Sequence, residues 1–106
     1  MSDKQYNKPP ELAQLNVVKF YTKTCDACPA QWQGLLSDAN TFYVRYRFGN
    51  LTCHIPYPTT YEQYQAPVYQ KTIGDDLDGS MTTFEMQAHL SSILDFTIAE
   101  WVIEDI

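Results

Sequence analysis

"PAQWQGLLSDAN", residues 29–40, can be read with two periods, and the fold of the chain depends on which one it follows. As a helix it places Pro29 in the first turn and Trp32, Leu35 and Leu36 at i, i+3 and i+4. As a strand it puts Trp32, Gly34 and Leu36 on one face, and "SDAN" becomes a turn into the segment that follows. The helix would be under three turns long and would carry Gly34 in its middle, at a cost of about 1 kcal/mol. The strand reading is preferred.

The flanking segments agree with a sheet. "LNVVKFYT" (15–22) is β-branched and aromatic, with Val17 on one side and Val18 and Phe20 on the other, which suggests a central strand. "TFYVRYRFG" (41–49) alternates: Phe42, Val44, Tyr46 and Phe48 share one face, and Tyr43, Arg45 and Arg47 share the other. Gly49-Asn50 supplies a two-residue turn, and "LTCHI" (51–55) is then the antiparallel partner, with Leu51, Cys53 and Ile55 on one face and His54 on the opposite one. "PYPTTYEQYQAP" (56–67) has no hydrophobic period and reads as a long loop with one helical turn at 59–65. "VYQKTI" (68–73) is a short strand.

From Thr82 onward the pattern is helical, because Met86, Leu90, Ile93, Leu94, Ile98, Trp101 and Val102 recur at helical spacing. Thr82-Thr83-Phe84-Glu85 is a capping box that starts this helix. The β-branched pair Thr97-Ile98, with Glu104 and Asp105 opposing the helix dipole, lets the last ten residues break away. The expected fold is therefore α+β: a three- to four-stranded antiparallel sheet over 15–73 packed against a C-terminal amphipathic helix. Residues 1–14, with Pro9-Pro10, read as a flexible tail before a single domain at 15–106.

Size and composition set the function classes. A chain of 106 residues holds one core. No apolar run approaches the roughly 18–20 residues of a membrane span, and the N-terminal stretch lacks the layout of a signal peptide, so a cytoplasmic protein with no membrane contact is expected. Three cysteines fit a reducing compartment better than a disulfide framework. The net charge of -6 is uneven: residues 72–106 carry eight acids and no Lys or Arg, while residues 1–71 carry seven basic and five acidic side chains. Phosphate contacts need positive charge, so direct nucleic-acid binding is not expected, and a protein partner with a basic surface is. The plainer reading of the same acids is a solvated helix face and turn.

Cys25-x-x-Cys28, at the exit of the first strand, admits three chemistries. As a redox pair, Cys25 would attack as an exposed thiolate and Cys28 would resolve the mixed disulfide. As part of a zinc site, the pair would need Cys53 and His89 to complete four ligands, without the second spaced pair that makes such a signal strong. As ordinary thiols, Cys53 would be a small buried hydrophobe. Asp76, Asp78 and Glu85 overlay the acidic positions of a calcium loop, although Gly74 stands where its first ligand belongs; the alternative is an Asp-Gly turn feeding a capped helix. No motif for hydrolase or nucleotide chemistry is present, and no cofactor is favoured.

Two resemblances bear on these readings. "CDACPAQWQG" followed by "FYVRYRFGNL" resembles small uncharacterised bacterial proteins with a Cys-Pro-x-Gln-Trp-x-Gly segment and an Arg-Tyr-Arg-x-Gly-x-Leu strand. The likeness covers roughly residues 24–52; it implies a hairpin there and no activity. "VVKFYTKTCDACPA" is similar to the strand-then-CxxC opening of glutaredoxins, and Pro67 stands where that fold places a proline facing the disulfide. This second likeness implies a thioredoxin-like α/β fold and a thiol-disulfide oxidoreductase using Cys25, Cys28 and Pro67.

The expected role is a non-enzymatic binding or adaptor protein of bacterial or phage type. Its contact residues would be Tyr43, Arg45 and Arg47 on the exposed strand face, with Trp32, beside the tyrosines of the 56–67 loop, since Tyr and Arg anchor protein interfaces. The acidic C-terminal third is a second surface of this kind.

Overall fold

The computed structural model describes residues 16–27 and 29–101. The segment 1–14 read as a tail, Cys28, and the acids Glu104 and Asp105 lie outside them. Among the described residues the chain forms a seven-stranded mixed sheet and two short helices. This corrects the expected α+β fold of three to four strands against a long C-terminal helix, and equally the thioredoxin-like alternative.

β1 (Asn16–Cys25), β2 (Ala30–Leu36), β3 (Thr41–Arg47), β4 (Asn50–His54) and β5 (Tyr69–Thr72) form an antiparallel meander. Two two-residue strands, β6 (Leu94–Asp95) and β7 (Glu100–Trp101), add in parallel along the free edge of β1. The spatial order is β5-β4-β3-β2-β1-β6, with β7 also on β1. Residues 29–40 thus follow the strand period: Ala30, Trp32 and Leu36 are buried on one face, Ala30 and Trp32 opposite Tyr46 and Val44 of β3 and Leu36 opposite Val18 of β1.

The β3–β4 turn lies one residue earlier than the sequence suggests. Phe48 and Gly49 are its central residues, both with positive φ (54° and 75°), and Arg47 pairs with Asn50. Two positive φ values define the turn that matches the twist of the strands it joins. Gly49 is held from above, its carbonyl accepting from the Ile73 and Gly74 amides and its own N–H donating to the Asp78 carbonyl. A Cβ there would lie 2.3 Å from the Gly74 carbonyl oxygen.

The helix over the C-terminal region starts where expected and stops early. α1 (Tyr61–Tyr64) is the one-turn helix of the long loop, and α2 (Thr83–Leu90) follows the capping box. Thr82 Oγ1 accepts from the Glu85 amide at 3.0 Å, and Glu85 Oε1 accepts from the Thr82 amide at 2.9 Å. After Leu90 the helical spacing continues in the sequence, but the Ile93 carbonyl is taken by the amide and the side chain of Asn16 (3.0 and 3.1 Å). Pairing with the β1 edge then overrides the helical pattern, and Leu94 enters the core from a strand.

The core lies between one sheet face and α2. Val18, Trp32, Phe42, Val44, Leu51 and Cys53 from the sheet meet Met86 and Leu90 from α2, with Leu94 and Met81 at the ends. The Trp32 indole N–H donates to Thr83 Oγ1 at 2.9 Å, and the Tyr46 hydroxyl donates to the Asp78 carboxylate at 2.6 Å, which ties the sheet to both ends of the 78–83 connection. A register shift at Lys19 turns β1 over, so that Val18 is buried in this core while Phe20 points to the opposite face. Val18 and Phe20 therefore do not share a side, as simple alternation would have them.

Candidate functional site on the open face of the sheet

The face opposite α2 carries Phe20, Thr22 and Cys25 from β1, Gln31, Gln33 and Leu35 from β2, Tyr43 and Arg45 from β3, and Thr52 and His54 from β4, as the cross-strand register requires. The segment 56–67 folds over its β3–β4 half. Tyr57 N–H donates to Thr41 Oγ1 at 2.9 Å, and Val68 N–H donates to the Cys53 carbonyl at 2.8 Å, fixing both ends. Between them α1 is capped by Thr60, whose Oγ1 accepts from the Gln63 amide, while Gln63 Oε1 accepts from the Thr59 amide at 2.7 Å. A loop with no hydrophobic period is ordered here by side-chain caps and not by an apolar stripe.

Under this cover lies an aromatic block. Tyr43 is only 4% exposed, with its ring 4.8 Å from Tyr57 and 6.4 Å from Tyr64. His54, 2% exposed, packs beside it, and its Nε2 lies 3.0 Å from the Tyr64 carbonyl. A carbonyl can only accept, so Nε2 carries the proton and Nδ1 is left buried without a partner. Burial pushes the Tyr43 hydroxyl up to about 12, against the pull of the Arg45 guanidinium, and burial with the neighbouring Tyr64 raises Tyr57 as well. Tyr43 and Tyr57 therefore stay neutral at physiological pH.

Two depressions flank it. One, about 330 Å³, is lined by Phe20, Thr22, Gln33, Leu35, Thr41 and Tyr57; its surface is mainly apolar, and the Thr22 hydroxyl beside it is buried without a partner. The other, about 270 Å³, is lined by Arg45, Arg47, Asn50, Thr52, Tyr64 and Gln70, with Phe48 and Pro67 at its rim, and is mainly polar. Tyr57 lines the first and Tyr64 the second, so the tyrosine block forms the wall between them. Comparison of the chain with protein-family models, curated proteins and solved structures finds no match.

The residues singled out in the sequence are distributed as follows. Arg45 and Arg47 stand on the open face, Arg45 half-buried and Arg47 exposed with its guanidinium carbon 4.7 Å from the Phe48 ring centre. Tyr43 is beneath the loop, and Trp32 is wholly buried in the core on the other face, where no partner can touch it. Phe20 was missed because the β1 bulge that reverses it has no sequence signal that alternation can detect, while Leu35 and Thr41 follow from alternation and join the site through the Tyr57 loop that packs beside them.

Cys25 is half-buried at the end of β1 on the open face, its thiol directed to the Ala27 carbonyl at 3.6 Å. The segment after it enters β2, so no helix N-terminus faces Cys25, and Pro67 lines the arginine groove. Cys53 projects into the core on the opposite face, where burial pushes its thiol up to about 12. Cys25 and Cys53 thus cannot join His89 around one zinc, and no group of three His, Cys, Asp or Glu converges among the described residues. Of the calcium candidates, Asp78 accepts from Tyr46, Glu85 closes the capping box and Asp76 belongs to the exposed turn. No helix among the described residues is long and apolar enough to cross a membrane.

Proposed function

We propose that the chain is a non-enzymatic binding protein whose recognition surface is the sheet face opposite α2, and that its partner is another protein. The observation that carries this reading is the pair of depressions on that face, one apolar and one arginine-lined, set on either side of a rigid tyrosine block. Protein interfaces place apolar or aromatic anchors in preformed pockets and surround them with Arg and Tyr. The apolar depression offers a seat for one inserted side chain between Phe20, Leu35 and Tyr57, and its neighbours Gln33 and Thr41 supply neutral hydrogen-bonding groups at the rim.

The reading is tested with two charge substitutions on opposite faces. Leu35→Glu puts a carboxylate into the depression, and Phe84→Glu puts one on α2, where Phe84 is 84% exposed. A partner held by the open face is lost with Leu35→Glu and kept with Phe84→Glu; the reverse pattern removes the open face from consideration.

A further inference from the structure

Arg45 and Arg47 occupy alternate positions of β3, so their side chains leave the same face about 7 Å apart along the strand. Among the described residues neither guanidinium is paired with a carboxylate, whereas Lys23 pairs with Asp26 at 3.0 Å. Among the described residues no Asp or Glu lines their groove, although the chain carries thirteen acids and a net charge of -6. The other polar lining among the described residues is Asn50, Thr52, Tyr64, Gln65 and Gln70, which offers side-chain amides and hydroxyls but no carboxylate. The Arg47 guanidinium carbon lies 4.7 Å from the Phe48 ring centre, and both residues line the groove; a guanidinium can capture a carboxylate through two parallel hydrogen bonds.

We propose that this groove binds an extended peptide segment carrying two carboxylates at alternate positions. An extended ligand repeats its side chains with the same period as β3, so two acidic residues separated by one other match Arg45 and Arg47 one to one. Gln65 and Gln70 are then placed to hydrogen-bond the ligand backbone. Among the described residues two cations line the groove, and the chain as a whole has a net charge of -6. A dianionic peptide is therefore matched in number, and a polyanion such as nucleic acid, with one charge per about 1.7 Å, is not. This proposal names the chemistry of the partner and rests on the reading of the open face as a recognition surface.

The experiment is an NMR titration of the isotope-labelled full chain with a capped Glu-Val-Glu peptide, a capped Gln-Val-Gln peptide and inorganic phosphate. Amide shifts at Arg45, Thr52, Gln65 and Gln70 that saturate with Glu-Val-Glu, weaken at least tenfold with Gln-Val-Gln, and weaken to a similar degree in the Arg45→Gln/Arg47→Gln double variant are the expected result. Arg47→Gln alone, at an exposed position, reads the same loss if the double variant fails to fold. Equal shifts from both peptides, shifts outside the groove, or phosphate that displaces Glu-Val-Glu at equal concentration would overturn the proposal. Phe84→Glu, on α2 and outside both depressions, leaves the peptide titration unchanged. If the peptide fails to bind while Leu35→Glu still abolishes partner binding, the groove proposal falls and the recognition surface stands.

Discussion

Gly34 and Phe42 face each other across β2 and β3 so closely that a Cβ on residue 34 would lie 2.7 Å from Phe42 Cε1, and 2.3 Å from the Phe20 carbonyl oxygen on the β1 side. The Phe42 ring covers the space that a side chain would take. The glycine that counts against a helix in "PAQWQGLL" is thus required by the strand, because the β1 backbone and an aromatic ring close over it. Gly34→Ala must move the β1 backbone or the buried ring, and it is expected to destabilise the fold by about 1–3 kcal/mol in urea denaturation, with circular dichroism unchanged.

The Tyr46 hydroxyl is buried and its acceptor is the Asp78 carboxylate. Asp78→Ala leaves that hydroxyl without a partner and is expected to cost about 1–3 kcal/mol; Asp78→Asn, which keeps an acceptor oxygen, costs less. Leu77→Ala, next door and 92% exposed, is the control and should stay within about 0.5 kcal/mol of the wild type.

Thr22→Val is expected to act in the opposite direction. Among the described residues the buried Thr22 hydroxyl has no hydrogen-bond partner, so its replacement by a methyl group of similar shape removes an uncompensated desolvation. The variant should be neutral or more stable by up to about 1 kcal/mol. A clear loss of stability would show that the hydroxyl is satisfied in solution.

Much of this architecture is legible in the residues. The alternation of 41–47 separates core from open face, the Gly49 turn and its hairpin are found within one position, and the Thr82/Glu85 box marks the start of α2. What escapes is set by tertiary contacts that a period cannot show. Ile93, Leu94 and Trp101 keep helical spacing, yet their backbone pairs with or bonds to β1, which offers an unpaired edge. The site was half visible: Arg45 and Arg47 follow from alternation, while Phe20 depends on the bulge at Lys19 and the burial of Tyr43 and His54 depends on a loop held by caps.

Stability should be bounded on both sides in pH. Burial holds the Cys53 thiol (ordinarily 9.0) and the Tyr43 and Tyr46 hydroxyls (ordinarily 10.0) up at about 12. Between these values the unfolded chain has released protons that the folded chain retains, so stability falls as pH rises from about 9 toward 12. Hydrogen bonds from Thr82 and from Thr97 hold the Glu85 and Asp95 carboxyls below their ordinary values, so there the unfolded chain binds more protons and stability falls as pH drops through the carboxylate range. Urea midpoints measured across pH, with tyrosinate absorbance on the alkaline side, should show a plateau between the two declines.

The cap of α2 is a separate contribution. Thr82→Ala removes the acceptor for the Glu85 amide at 3.0 Å and is expected to cost about 1 kcal/mol, with Thr82→Ser restoring most of it.

The central claim is that the face opposite α2 meets a partner protein. A photo-crosslinking residue placed in the living host at Gln33, on the rim of the apolar depression, and separately at Ser92, exposed beyond the end of α2, tests it most directly. A discrete covalent product with a second protein is expected from position 33, absent from position 92 and abolished by Leu35→Glu. The same product from both positions, or one from position 92 alone, would contradict it.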